Sequence, residues 1–308
     1  MLHYRVKMMG GLALLANKRL TIFGCGYVGT VVAREACRAG LKVEALTRNP
    51  GRAAELAGLG AHPVVADFAT DVWHTLLAPG ADLVLNCVSS GGGGLDGYRR
   101  SYVEGMRSLL AWAQCGPAGT IVYTSSTSVY PQDGGVVVDE EAPTANAGET
   151  GRILLEAEDL LRRGSGACGR WFIMRLAGIY GPKRHHLLDQ VRAGAAEFSG
   201  SGAQHLNLAH RDDICAAILA AFTAPASQSG GIFNVADDAP APKGEVVQWL
   251  AEQLGRPSPR FTGGAASARR GFASPPDRLI SNAKLKAKLG WKPRYPSFRE
   301  GYAAILSA

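Results

Sequence analysis

The sequence has no apolar run approaching the length that spans a bilayer, so a membrane protein is not expected. It also has no CxxC pair. Its six cysteines, Cys25, Cys37, Cys87, Cys115, Cys168 and Cys215, are scattered, which argues against thiolate metal sites and dithiol chemistry and favours a reducing, cytoplasmic setting. Cys25, Cys87 and Cys215 stand in apolar stretches and read as small core residues. Acids are scarce towards the C-terminus: residues 256 to 299 hold eleven Lys or Arg and one acid, Asp277. Aromatics do not interleave with these cations as a single-strand platform requires, so no nucleic-acid partner is expected. A basic rim facing an anionic small molecule fits the pattern, and a plain solvated face is the simpler alternative. His185, His186 and His205 have no carboxylate cluster beside them, and adjacent histidines are poorly spaced for one ion, so no metal is assigned.

What the chain does have is a glycine fingerprint, Gly24-Cys25-Gly26-Tyr27-Val28-Gly29, between a short apolar run and an Ala-rich helical pattern. The spacing has a physical reading. Gly24 permits a sharp turn, Gly26 lets backbone approach a pyrophosphate, and Gly29 lets the helix pack tightly on its strand. The helix start then points N–H groups and a positive dipole end at the phosphates. Tyr27 and Val28, inside the turn, join the three glycines as expected cofactor-binding residues.

The second apolar run ends at Thr47-Arg48-Asn49-Pro50, about 20 residues past the fingerprint, where an NAD site usually offers Asp or Glu to the ribose. Arg48 can instead pair a 2′-phosphate, with Arg52 as a second cation, so NADP is the expected cofactor and NAD the second choice. Glu44 lies too far back in the run to reach. A third run ends at Asp67, which could accept from the adenine amino group or cap the following turn. A fourth leads through Ser89, also an expected cofactor contact, into Gly91-Gly92-Gly93-Gly94. Those glycines suit either a mobile loop or a wall passing close to a ligand.

Strand-like runs alternate with helical patterns through the first half, which predicts an α/β fold with a Rossmann-type doubly wound parallel sheet. Two further segments give a specific resemblance. Tyr123-Thr124-Ser125-Ser126-Thr127-Ser128-Val129-Tyr130 and Arg175-Leu176-Ala177-Gly178-Ile179-Tyr180-Gly181-Pro182 resemble the serine strand and sixth strand of extended short-chain dehydrogenases/reductases, the NAD-dependent epimerase/dehydratase group. Segments 207–214 and 232–237 resemble its later elements. The resemblance implies a dinucleotide-binding domain over 18–183, with 207–236 returning to it. It also implies a smaller, mostly helical substrate domain from 184–206 and 237–308. Residues 1–17 are expected to be a loose N-terminal extension. A homodimer through helices near 98–114 and 150–162 is also implied, although the apolar pattern of the second helix equally suits its own core.

The same family uses a Tyr-x-x-x-Lys pair on the helix after the serine strand, in which lysine lowers the phenol's pKa. Here no tyrosine occurs between Tyr130 and Tyr180, and no lysine between Lys42 and Lys183. The chain therefore resembles atypical members that lack the pair. Ser126 falls where the family's serine orients the substrate oxygen, although a serine there can equally satisfy loop backbone. Tyr130 is the candidate substitute acid, against the alternative of a packed aromatic, and Glu149 is a weaker candidate that could simply cap its helix. The expected function is NADP-linked hydride transfer, as oxidoreductase or epimerase, on a small polar or anionic and possibly nucleotide-sugar substrate. The rival is a non-catalytic NADP-binding sensor.

Overall fold

The computed structural model describes residues 12–116, 118–263 and 276–307. Residues 1–11 of the expected extension, and part of the basic C-terminal stretch, lie outside the described residues. Residues 12–17 do not hang loose: Leu12 is fully buried in the core and Leu15 packs against it, because both are apolar.

Seven strands form one parallel sheet: β1 (Arg19–Phe23), β2 (Lys42–Thr47), β3 (His62–Val65), β4 (Ala81–Asn86), β5 (Ala118–Ser126), β6 (Cys168–Leu176) and β7 (Gly230–Val235). Their order, β3-β2-β1-β4-β5-β6-β7, reverses direction of growth between β1 and β4. That reversal opens a crevice beyond the carboxyl ends of the strands. The strands are near-continuous apolar runs, as strands covered on both faces must be.

One face carries α1 (Gly29–Arg38) and α2 (Pro50–Gly58), whose Val32, Ala36 and Leu56 are fully buried. The other is covered after α3 (Gly94–Arg99) by α4 (Gly105–Cys115) and α5 (Glu149–Arg163), which bury Leu109, Trp112, Ala157 and Leu161. Ile153, Leu154 and Leu161 of α5 thus serve the protein's own core. The exposed side of the pair is charged, with Glu156 bridging Arg99 at 2.8 Å and Arg107 at 3.5 Å.

A further apolar core is built by α6 (His186–Arg192), α8 (Lys243–Gln253) and α10 (Phe298–Leu306), around Leu188, Val246, Leu250 and Phe298. Between them in sequence, α7 (Arg211–Phe222) returns to the sheet, and α9 (Ala283–Leu289) packs near β7. No helix of the described residues is long and apolar enough to cross a membrane.

Behind the carboxyl ends of β5 and β6 lies a buried ion pair. Arg175 meets Glu158 of α5 through two bonds, Nε to Oε1 at 3.0 Å and a terminal nitrogen to Oε2 at 2.6 Å. Both side chains are almost wholly excluded from water. Ser125 donates to the same carboxylate at 2.6 Å. Removing one partner of such a pair strands a buried charge. Arg175→Met should therefore cost about 3–5 kcal/mol in urea denaturation, and adding Glu158→Leu should restore much of it. A single variant within about 1 kcal/mol of the parent, the range of an exposed ion pair, would show that the pair bears little load.

Candidate functional site

A cavity of about 680 Å³ opens at the carboxyl edge of the sheet, over the crevice between β1 and β4. It is lined by Gly24, Gly26, Tyr27, Val28, Arg48, Asp67, Ser89 and Ser126 of the expected site residues. Gly29 and Tyr130 are not among its lining residues.

The fingerprint is built by exclusion of side chains. Gly24 has φ of +89°, and a Cβ there would collide with the backbone of Val88. A Cβ on Gly29 would lie 2.6 Å from the Gly24 carbonyl oxygen and 2.8 Å from the Cys87 sulfur. Gly29 therefore acts in packing, as its place in the fingerprint requires. Gly26 is different: a Cβ there meets nothing within 4 Å, because it would stand in the cavity. Val28, at the N-cap of α1, has no polar side-chain atom and makes no side-chain cap. The first turn therefore presents N–H groups and a dipole end towards the opening. These are the features a pyrophosphate needs, and the residues present fit a dinucleotide.

Tyr27 ties this turn to a distant loop. Its hydroxyl donates to the Pro182 carbonyl at 2.9 Å, and its ring lies under the guanidinium groups of Arg184 and Arg211 at 5.5 and 5.2 Å. Burial raises its pKa against the pull of the two arginines.

At the end of β2 the chain is locked by local bonds. The Asn49 N–H donates to Thr47 Oγ1 at 3.2 Å, and the Asn49 side chain caps α2 through the Arg52 N–H at 3.1 Å. Arg48 stands between them with the end of its guanidinium against Gly91. Gly91 packs beside the Arg48 side chain and is not among the residues lining the cavity. Arg52 lines the cavity as well, but its guanidinium is paired with Glu55. Glu44 is engaged inside the sheet edge by Thr21 at 3.0 Å and Arg19 at 3.2 Å.

Asp67 accepts from the Ala69 N–H at 3.0 Å, so it does cap the turn, and it also pairs with Arg100 at 2.7 Å. Burial pulls its pKa upward, but hydrogen bonds from Arg100 and Ala69 and the charge of Arg48 hold it below its ordinary value. Ser126 ends β5, where its hydroxyl accepts from the Ser128 N–H at 3.2 Å. A hydroxyl used so still has its proton to donate.

The expectation for Tyr130 is corrected by its surroundings. The side chain is fully buried, and its hydroxyl donates to Asn234 Oδ1 at 2.8 Å and accepts from Arg175 at 2.9 Å. Burial raises its pKa despite the neighbouring arginine. It extends the Arg175–Glu158 network and faces no ligand space. Glu149 is exposed at the start of α5 and lines nothing, and the only α5 residue on the cavity wall is Leu154. His185 pairs with Asp189 at 2.8 Å and His205 with Asp277 at 3.0 Å. Sequence reasoning missed Tyr98, Arg100 and Tyr102, which reach the cavity from the segment after the glycine run, and Arg184. The i, i+4 spacing of Tyr98 and Tyr102 was a usable signal.

The pattern of the NAD dependent epimerase/dehydratase family matches residues 21–236. The chain belongs to that family. It is 28% identical over 286 residues to Protein YeeZ of Escherichia coli (strain K12), covering 91% of this chain and 97% of that protein. It is 30% identical over 218 residues to a 3-diazoavenalumate denitrifying reductase of Streptomyces sp, covering 66% of this chain and 70% of the other. Its fold matches the UDP-glucuronic acid 4-epimerase of Bacillus cereus, in complex with UDP-glucuronic acid and NAD, with a TM-score of 0.79 at 18% identity. That match covers 94% of this chain and 98% of the epimerase.

Against the far side of Tyr27 lies a cluster of buried polar groups. Tyr180 Oη, His210 Nε2 and Asp237 Oδ1 have no hydrogen-bond partner among the described residues. Burial pushes Asp237 up to about 8 and Asp213 to about 6, and pushes His210 down to about 4. A carboxyl whose folded pKa lies above its unfolded value stabilises the fold when protonated, and that stability is lost as pH rises through the folded value. Between about pH 7 and 8 the Asp237 contribution outweighs those of the other two, since Asp213 is then ionised and His210 largely neutral in both folded and unfolded states. Stability should fall there by up to roughly 1.4 kcal/mol per pH unit, and Asp237→Asn should flatten the slope. Urea denaturation at several pH values reads this directly. Equal slopes in parent and variant would mean that Asp237 is already ionised at neutral pH.

Proposed function

We propose that this member of the family is an NADP-linked oxidoreductase acting on a small anionic substrate, with nucleotide sugars within its range. The observation that carries the cofactor reading is the end of β2. Arg48 lines the cavity, while the one acid of that strand, Glu44, is engaged by Thr21 and Arg19. A ribose 2′-hydroxyl has no carboxylate there, and a 2′-phosphate has a guanidinium. Arg184 supports an anionic substrate: it lines the other part of the cavity, stacked over Tyr27, and forms no ion pair among the described residues.

When bound, the nicotinamide ring supplies hydride acceptor or donor chemistry. The residues of this chain do the rest. The α1 turn holds the pyrophosphate, with Gly26 leaving room for it. Arg48 holds the 2′-phosphate at the end of β2. Ser126 donates its proton in a hydrogen bond to the substrate oxygen, an interaction that strengthens as negative charge collects there. Leu154 gives that end of the cavity an apolar wall. The same Leu154, in place of an ionisable side chain on α5, is what favours the second reading, a cofactor sensor without chemistry.

Calorimetric titration separates cofactor from fold. NADPH should bind more tightly than NADH, and Arg48→Ala should remove about 1.5–3 kcal/mol of NADPH affinity, the range for hydrogen bonds to a charged group. Gly26→Val should abolish binding of both with circular dichroism unchanged. Equal affinity for the two cofactors in the parent protein would sink the NADP reading.

For chemistry, tritium transfer from labelled NADPH to UDP-sugars and small oxo-acids identifies a substrate. Ser126→Ala should then lower turnover about a hundredfold with cofactor affinity nearly unchanged. Undiminished turnover would remove the serine from the mechanism, and no transfer to any acceptor would favour the sensor.

A further inference from the structure

We propose that Tyr27, a residue of the cofactor fingerprint, is also the positioning residue for the substrate's anionic group, an inference that rests on the anionic-substrate reading above. Tyr27 does this through Arg184, whose guanidinium it holds ready at the cavity.

The link between them is a four-residue turn. The Gly181 N–H donates to the Arg184 carbonyl at 3.1 Å, and the Arg184 N–H donates to the Gly181 carbonyl at 3.0 Å. Pro182 and Lys183 form the two corners. Proline suits the first corner of such a turn, and the second calls for a positive φ that Gly or Asn adopts most readily. Here the second corner is Lys183, with φ of +64°. Among the described residues the one other non-glycine residue with positive φ is Asn17, a type that tolerates it. A lysine does not, and strain of this kind persists only where its surroundings impose it, most often beside a ligand site.

Tyr27 supplies those surroundings. Its hydroxyl donates to the Pro182 carbonyl at 2.9 Å. Gly181 has φ of +146°, and a Cβ there would lie 2.8 Å from that hydroxyl and displace it. Arg184, the last residue of the turn, then lies with its guanidinium over the Tyr27 ring, 5.5 Å from the centroid. Arg211 stacks on the same ring at 5.2 Å, but Asp212 occupies its Nε and one terminal nitrogen at 3.1 and 3.0 Å. Arg211 is also absent from the cavity wall. Arg184 is exposed, lines the cavity and forms no ion pair among the described residues.

A guanidinium laid on a phenol face keeps its N–H edge free, and that edge fits a carboxylate or a phosphate through two parallel bonds. Stacking also restricts the side chain before the anion arrives, so less freedom is lost on binding. Because Tyr27 follows Gly26 directly, the anion's place is fixed relative to the cofactor's phosphates. One side chain of the fingerprint thereby aligns substrate with cofactor.

Phenylglyoxal reacts with exposed guanidinium groups, and peptide mass spectrometry reads its attachment to Arg184. Protection of Arg184 by UDP-glucuronate and by 4-formylbenzoate, each titrated onto protein saturated with NADP⁺, gives an affinity at this one residue. The first probe offers a diphosphate and a carboxylate, and the second a carboxylate alone. At least one should protect Arg184 in the parent. Tyr27→Leu should weaken that protection at least tenfold. Tyr27→Phe, which keeps the ring and loses the bond to Pro182, should weaken it about threefold.

Lys183→Gly is compared with Lys183→Gln, which removes the charge and keeps the strain. The glycine variant should have a Tm higher by about 2 °C. It should nevertheless protect Arg184 at least threefold less well. A turn with a structural role alone would move stability and leave affinity where it was. Equal protection in the parent, Tyr27→Leu and Lys183→Gly overturns the proposal and leaves anion binding at Arg184 standing. No protection by either probe removes the anionic reading and the proposal with it. If calorimetry shows no NADP⁺ binding, the cofactor reading falls, and the same titrations on the free protein decide the role of Tyr27.

Discussion

The first turn of α1 rests against the end of β4 because neither Gly24 nor Gly29 carries a side chain. The Gly24 carbonyl accepts from the Cys87 thiol at 3.0 Å, and the Gly26 N–H folds back on that carbonyl at 2.8 Å. A methyl group at either glycine would push helix and strand apart. That close approach fixes the mouth of the crevice, and every other feature of the site is placed relative to it. Gly26 faces open space just in front of it, Tyr27 anchors it to Pro182, and Arg48 reaches Gly91 a short way beyond.

At the other end of the cavity rigidity comes from polar groups. Ser125, Glu158, Arg175, Tyr130 and Asn234 form a continuous chain of hydrogen bonds behind the serine, drawing on β5, α5, β6 and β7. Every member is buried, and each bond satisfies a group that would otherwise be costly to hide. Ser126 is thus set on a strand end that has little freedom, facing a cavity bordered by Leu154. The chain belongs to the NAD dependent epimerase/dehydratase family, and this rigid strand end lies within the matched region.

The parts legible in the sequence were those written in local spacing. Strand, glycine turn and helix follow one another within about a dozen residues, so the fingerprint and the alternation that gives a parallel sheet could be read directly. The locking of Arg48 was half visible, since Asn49-Pro50 is a helix start. What the sequence hid depended on contacts between distant residues. Tyr130 is adjacent to the serine strand in sequence, but its hydroxyl belongs to Asn234, 104 residues away. Arg100 meets Asp67 across 33 residues, and it does so from a turn whose π geometry no periodicity announces. Leu12 read as part of a loose N-terminal extension, because nothing local shows that the core has room for it.

The central claim is that one dinucleotide lies along this edge with its phosphates on the α1 turn and its nicotinamide at Ser126. A crystal structure of the complex with NADP⁺ tests it most directly. The account predicts pyrophosphate oxygens within hydrogen-bond distance of the amides after Gly24, about 2.7–3.2 Å, the 2′-phosphate on Arg48, and the nicotinamide ring beside Ser126. A dinucleotide bound outside this cavity, or lying in it with the adenosine at Ser126, would contradict it.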